Sequence, residues 1–366
     1  MTSETSLAAE TAARIMRDLS TRQVINAAEV GQWPADLWAA LEEAGIPLAW
    51  VPEALGGSEA SLREGFEILR LAGRFAVPAP LAETLLAGLL LARAGLASPA
   101  GPMTVAPVHP RDEIVLGSDG RLSGQARGAP YARHAHHVAL AARTASGVSR
   151  TVLVAMPDCR LSHGTNLAGE PADAIDFAGV KPVAVGPAGA TDAATLRSLG
   201  AAARALQMAG GLERLLEQTL EYAGERVQFG RPIAGFQAIQ HSLAQFAGEA
   251  AAASAAADAA AEALSSGHAA LKDAPFDEDV VVEIAAAKIR VGEAASVGAA
   301  IAHQVHGAIG FTLEYSLQLT SRRLWSWRDD FGGESAWSLL LGRIAATQGA
   351  DGLWPFVTGH ARGSAA

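Results

Sequence analysis

The chain has 366 residues, half of them apolar and 18% charged, with a formal net charge of −10 at pH 7. That length holds two or three domains with sizeable cores, and an acidic balance without a basic stripe excludes nucleic acid as an expected partner. One cysteine, Cys159, excludes an internal disulfide and makes a cytoplasmic protein the simplest expectation.

Met1 to Glu10 lacks the basic, apolar and small-residue succession of a signal peptide. No apolar window is long enough for a membrane span, so no membrane association is expected. Leu81 to Leu96 comes closest, and Glu83 and Arg93 interrupt it.

Residues 1–100 read as a helical domain. Ala8 to Leu19 and Pro34 to Ala44 are amphipathic, and Gly45-Ile46-Pro47 stops the second. Ser61 caps a longer helix that places Leu62, Phe66 and Leu69 on one side. Val77-Pro78-Ala79-Pro80 ends it, and Leu81 to Ala97 forms another.

Residues 101–190 change character, and short apolar runs between prolines and glycines predict a small antiparallel β-domain. Thr104–Val108, Glu113–Leu116, Val138–Ala141, Thr151–Ala155 and Ala174–Val180 read as strands. Gly117-Ser118-Asp119-Gly120 reads as a hairpin turn. Residues 191–366 return to helix. Ala193–Arg226, Phe236–Ser266, Glu278–Val305 and Leu317–Thr347 predict a four-helix bundle, with Leu271 to Pro275 as a linker. The fold class expected is therefore α+β, mostly α.

Between the first two bundle helices lies Arg226-Val227-Gln228-Phe229-Gly230-Arg231-Pro232-Ile233, followed by Phe236-Gln237-Ala238-Ile239-Gln240. Gly230 and Pro232 break the helical pattern there. An arginine and glutamines at a helix junction suit an anionic ligand, because a guanidinium grips phosphate and helix N-terminal amides face it.

Arg-x-Gln-Phe-Gly, Pro-Ile and Phe-Gln-x-x-Gln resemble the signature that opens the C-terminal helices of the acyl-CoA dehydrogenase family. Gln304-Val305-His306-Gly307-Ala308-Ile309-Gly310-Phe311-Thr312 resembles that family's later Gln-x-x-Gly-Gly-x-Gly segment, in the right order. The looser runs at 44–58 and 77–88 resemble its N-terminal helices. The resemblance implies an FAD-dependent enzyme of lipid metabolism that removes two hydrogens beside an acyl-CoA thioester. A base takes the α proton, flavin takes the β hydride, and an electron-transfer flavoprotein or similar acceptor reoxidises the flavin. It also implies that Arg226 and Gln228 face the FAD pyrophosphate and that Phe229 packs near the adenine side. Gln237, Gln304, Gly307 and Gly310 would line the dinucleotide of a neighbouring subunit.

The family supplies its base, a glutamate, from one of two places. Laid on the family without gaps, these are Phe331 and Gly200, and neither takes a proton. Asp330 and Glu334, near the first, are the candidate bases. The family's Thr-Glu pair, which contacts the flavin ring, falls near Met103-Thr104-Val105-Ala106 without its glutamate. Gly117-Ser118-Asp119 is not a convincing counterpart of the family's Gly-Ser-Asp group. Two assemblies follow from the resemblance: a homodimer or homotetramer active by itself, or a heteromer in which this chain is the non-catalytic partner. Arg322-Arg323 reads as a solvated or salt-bridged pair, Trp325, Trp327, Phe331 and Trp337 as core or subunit interface, and the histidines at 134, 136 and 137 carry no metal-ligand spacing.

Overall fold

Helices carry the first part of the chain because its apolar residues recur every third or fourth position and polar residues cap their ends. The computed structural model describes residues 6–189, 191–266, 275–312 and 314–358. Helix α1 spans Leu7–Leu19 with Ser6 as N-cap, α2 spans Arg22–Glu29 with Thr21 as N-cap, and α3 spans Ala35–Glu43. Helix α4, Leu62–Arg74, starts in a full capping box: Ser61 accepts from Glu64 N–H, and the Glu64 carboxylate accepts from Ser61 N–H at 2.8 Å. Helix α5, Leu81–Arg93, is buried nearly all round, Glu83 included.

Eight strands follow: β1 Met103–Ala106, β2 Ile114–Leu116, β3 Leu122–Pro130, β4 His137–Thr144, β5 Ser149–Ala155, β6 Arg160–Ser162, β7 Ala172–Asp176 and β8 Ala184–Ala188. They form one sheet in the order β6-β7-β3-β2-β4-β5-β8, with β1 also against β4. The predicted antiparallel pattern holds for most pairs, including the hairpin through Gly117 and Gly120 that joins Leu116 to Leu122. It fails where β1 and β2 both run parallel to β4, so the sheet is mixed. Those strands reach β4 by long connections rather than tight turns, which is what parallel pairing requires.

Helix α6, Ala193–Glu225, is 33 residues long and capped by Asp192. It leads to a small hairpin of β9 Val227–Gln228 and β10 Arg231–Pro232, then α7 Gln237–Ser265 and α8 Glu278–His306. The segment predicted as one helix from Leu317 to Thr347 divides. Helix α9 ends at Asp329, Phe331 takes a left-handed φ of +56° and Gly332 one of +100°, and α10 begins at Glu334. A final helix, α11, covers Gly349–Thr358. Most of the expected linker, residues 271–274, lies outside the described residues.

The N-terminal helices share one apolar core with α6, α7, α8 and α9, while the sheet packs a second core of its own around Leu122, Val138 and Phe177. Helices α4 and α6 approach closely because glycines face backbone. A Cβ on Gly73 would sit 1.7 Å from Gln207 O, and one on Gly210 would sit 1.9 Å from Arg70 O. That crossing sets where the middle of α6 lies against the N-terminal helices. Among the described residues no helix is long and apolar enough to cross a membrane.

Candidate functional site

Two places in the fold hold the residues singled out by sequence. The first is the arm beyond α6. Phe229 and Gly230 form the tip of the β9–β10 hairpin with φ of +52° and +79°. Two successive positive φ values are the geometry of a two-residue I′ turn. Glycine adopts it freely, whereas Phe229 does so at a cost of about 1–2 kcal/mol. Phe229 is 92% exposed, so packing inside this chain offsets little of that cost. Its ring meets that of Phe236 in a T-shaped pair, at 6.0 Å between centroids. Arg226, Gln228 and Gln237 are also exposed, and Gln228 Nε2 donates to Val227 O at 2.9 Å. Arg231 is held instead over the Phe236 ring, 4.2 Å from its centroid.

Gln304 and Gly307 are exposed at the end of α8. Gly307 takes φ +63° and ψ −144°, a conformation that glycine alone adopts readily, and a Cβ there would meet nothing within 4 Å. Backbone geometry therefore requires this glycine, and the space before it is open. Gly310, expected beside it, is buried instead: a Cβ there would sit 2.9 Å from Leu317 Cδ2. Its smallness serves the contact with α9. His306 is 4% exposed and stacks on Tyr222 at 4.3 Å. Its Nδ1–H donates to Ala302 O at 2.8 Å, because a carbonyl can only accept. Burial holds His306 and His303 below the ordinary histidine pKa.

The second place is the break between α9 and α10. The Phe331 ring is buried against Gly200 of α6, and a Cβ on Gly200 would sit 2.2 Å from Phe331 Cδ1. The Trp337 indole N–H donates to the carbonyls of Phe331 and Gly332 at 3.2 and 3.1 Å, which pins the turn. Of the two candidate bases, Asp330 accepts from Arg204 Nε at 2.9 Å. Arg204 also donates to Glu83 at 2.6 Å and to Gln207 at 2.5 Å, and it lies over the Trp327 ring. Burial pushes the Asp330 and Glu83 carboxyls up, against the pull of Arg204. Glu334 points elsewhere. Its carboxylate lies against Gly292 of α8, where a Cβ would sit 2.3 Å from Oε1, and 3.5 Å from Arg328 Nε.

Lys288, Glu170 and Arg204, all buried and charged, complete this region, and sequence reading did not assign them. Lys288 of α8, 1% exposed, donates to Trp327 O at 3.2 Å and Arg328 O at 2.5 Å, closing the C-terminal carbonyls of α9. Burial lowers its pKa to about 8. Glu170, from the loop before β7, accepts from Trp327 Nε1 at 3.0 Å and Tyr131 Oη at 3.2 Å and lies 3.1 Å from Arg323 Nε. Arg323, expected to be solvated or salt-bridged, is 1% exposed and also donates to Glu29 at 3.2 Å. Arg204 is the third. For Lys288 and Arg204 a charge set in an alanine-rich apolar helix was the available signal, because such a charge is seldom buried unpaired.

Thr104 is fully buried, and its hydroxyl donates to Pro130 O at 2.6 Å. It is spent within the sheet rather than offered to a ligand. Of the histidine group, His134 packs on Trp33 at 5.3 Å, and no three His, Cys, Asp or Glu residues converge as a metal site among the described residues.

A helical first third, a mixed sheet and a long-helix bundle with an exposed arm at one helix junction define the α+β, mostly α architecture shared with solved acyl-CoA dehydrogenase structures. The chain is similar to members of the acyl-CoA dehydrogenase family, and its C-terminal part matches that family's model. Residues 188–327 match the model of the acyl-CoA dehydrogenase C-terminal domain. Acyl-CoA dehydrogenase IpdE2 of Mycolicibacterium smegmatis is 28% identical over 331 residues, 88% of this chain and 93% of that protein. Its counterpart in Mycobacterium tuberculosis is 28% identical over 78% of this chain and 79% of its own length. Among solved structures, a variant of the Tcur3481–Tcur3483 steroid ACAD superposes with a TM-score of 0.81 at 26% identity, over 94% of this chain and 98% of that one. The ChsE4–ChsE5 complex from Mycobacterium tuberculosis shares the fold, with a TM-score of 0.80 at 23% identity over 94% and 99%.

Proposed function

We propose that this chain is the base-lacking subunit of a two-chain acyl-CoA dehydrogenase, and that it lends its Arg226 arm to an FAD shared with a partner that supplies the base. One observation carries the reading: the two positions that supply the family's glutamate are a phenylalanine and a glycine packed against each other. A carboxylate cannot enter there without dismantling that contact. The nearby carboxylates are also engaged, Asp330 by Arg204 and Glu334 by Arg328. Two structural neighbours carry paired names, and the second is titled a complex.

The nucleotide end of FAD fits this chain. Arg226 and Gln228 are exposed where a pyrophosphate could reach them, Phe229 offers a ring that is almost wholly exposed, and Gly307 leaves open space for a close approach. The flavin ring end fits less well, since the Thr104 hydroxyl is already bonded. The flavin, when bound, accepts the hydride from the acyl chain. This chain's part is to hold the nucleotide by charge and hydrogen bonds and to exclude water from it with Phe229.

A second reading rests on Asp330, whose carboxyl burial pushes up and which adjoins the family's glutamate position. In it, Arg204 releases Asp330 when substrate binds, and Asp330 takes the α proton in a self-sufficient enzyme. Purification decides between them. On the first reading the chain alone is colourless, and flavin and anaerobic bleaching by acyl-CoA appear only with a co-expressed partner of the same family. A yellow chain that bleaches alone, and stops bleaching as Asp330→Asn, establishes the second reading instead.

A further inference from the structure

A cavity of about 470 Å³ opens at the seam between the N-terminal helices and the bundle. Four arginines from four helices line it: Arg17 of α1, Arg22 of α2, Arg74 of α4 and Arg214 of α6. No carboxylate lines it among the described residues, although the whole chain carries a net charge of −10. Such a concentration of like charge costs free energy unless an anion meets it.

The charges are only partly compensated from behind. Glu217 holds Arg74 at 2.8 Å and approaches Arg214 at 3.4 Å, and Glu221 lies 3.7 Å from Arg214. Arg22 donates to the Glu314 carbonyl, a neutral acceptor, and Arg17 has no ion-pair partner among the described residues. Two guanidiniums therefore face the cavity without a counter-charge.

The floor is polar. Gln218, 7% exposed, bonds Ser316 Oγ at 3.0 Å through one end of its amide. The other end is buried and has no partner. Oxygen and nitrogen of an amide differ only by assignment. Turned over, Gln218 accepts from the Ser316 hydroxyl and leaves an N–H₂ donor without a partner just beneath the cavity lining. Guanidinium forks and a buried amide donor together suit phosphate oxygens. The volume exceeds that of inorganic phosphate and falls in the range of small-ligand sites.

We propose that this seam binds a phosphate-bearing small molecule of about nucleotide size, held by Arg17, Arg22, Arg74 and Arg214 over Gln218. The site is separate from the flavin arm, since Arg214 stands twelve residues, roughly 18 Å along α6, from Arg226. It does not depend on the function proposed above.

The test is calorimetric titration of the full-length chain with ADP and with pyrophosphate at fixed low salt. Wild type is expected to bind both, and Arg17→Ala/Arg22→Ala to bind each at least tenfold more weakly with an unchanged melting temperature. Arg17 has no ion pair among the described residues and Arg22 only its bond to the Glu314 carbonyl, so a loss of binding at an unchanged melting temperature reads on the ligand. Arg226→Ala is expected to bind as wild type does. Gln218→Leu weakens pyrophosphate without altering the slope of affinity against salt, because it removes a hydrogen bond and no charge. Absence of binding at millimolar ligand overturns the proposal. So does a loss of binding on Arg226→Ala with none on the arginine pair, which would seat the anion at the flavin arm.

Discussion

Phe331 lies against Gly200 so closely that a single added carbon on Gly200 would come within 2.2 Å of the ring. The two residues are 131 positions apart, and the resemblance to the family implies that each occupies one of the two places from which that family draws its proton acceptor. The contact couples α6 to the turn that separates α9 from α10. Its partners, Trp337 on one side and the Arg204–Asp330 pair on the other, make the region a packed wall rather than a pocket.

The contact is measurable as a coupling. Gly200→Ala is expected to destabilise by about 1–3 kcal/mol, the usual cost of overpacking. In a Phe331→Ala background the same change should cost less, because the ring it strikes has gone. A double-mutant cycle in urea reads the difference. Additive effects would mean that the two side chains do not touch.

Arg204 should be worth far more in place than its pairs are worth by themselves. Arg204→Met leaves the buried Glu83 without a counter-charge and strips the half-buried Asp330 of its ion pair, at a cost of about 3–5 kcal/mol. Adding Glu83→Gln and Asp330→Asn should recover much of that loss. Chemical denaturation of the single and triple variants checks the sign: a triple variant less stable than Arg204→Met contradicts the burial argument.

Lys288 gives a signed pH dependence. Burial lowers its pKa to about 8 from an unfolded value of 10.5. The unfolded chain therefore binds more protons between those values, and stability from this group falls as pH drops through 8. The difference between wild type and Lys288→Met is expected to shift in favour of wild type by about 1 kcal/mol from pH 7 to pH 9. A flat difference would show that the amine is solvated or that its proton is held equally in both states.

The arm should be dispensable for folding. Phe229 is almost wholly exposed and sits at positive φ. Phe229→Gly is expected to leave stability unchanged or raise it by up to about 1 kcal/mol, since backbone strain is relieved. The same variant should lose flavin retention in the co-expressed assembly. Thermal melting of the chain alone and flavin absorbance of the assembly separate the two effects.

Much was legible before any coordinates. Caps such as Ser61, the spacing of Leu62, Phe66 and Leu69, and the Gly117–Gly120 turn are local signals, and local backbone preference is written residue by residue. The arm was found for the same reason, because Gly230 and Pro232 punctuate a helix wherever it lies. Strand β3, Leu-Ser-Gly-Gln-Ala-Arg-Gly-Ala-Pro, carries no such signal. It has no β-branched residue, and only its pairing with β2 and β7 makes it a strand. The parallel pairing of β1 and β2 with β4 is likewise a matter of chain path.

The site divides along the same line. The sequence by itself determined that residues 331 and 200, where the family resemblance leads one to expect glutamates, are a phenylalanine and a glycine, because residue identity is all that such a statement needs. Only the tertiary structure decided that these two fill each other's space, that Arg204 ties Asp330 to Glu83, and that Glu334 turns to Gly292. Contacts between residues more than a hundred positions apart depend on which helix faces meet. Those faces are set by close approaches such as Gly73 on Gln207, which no local pattern encodes.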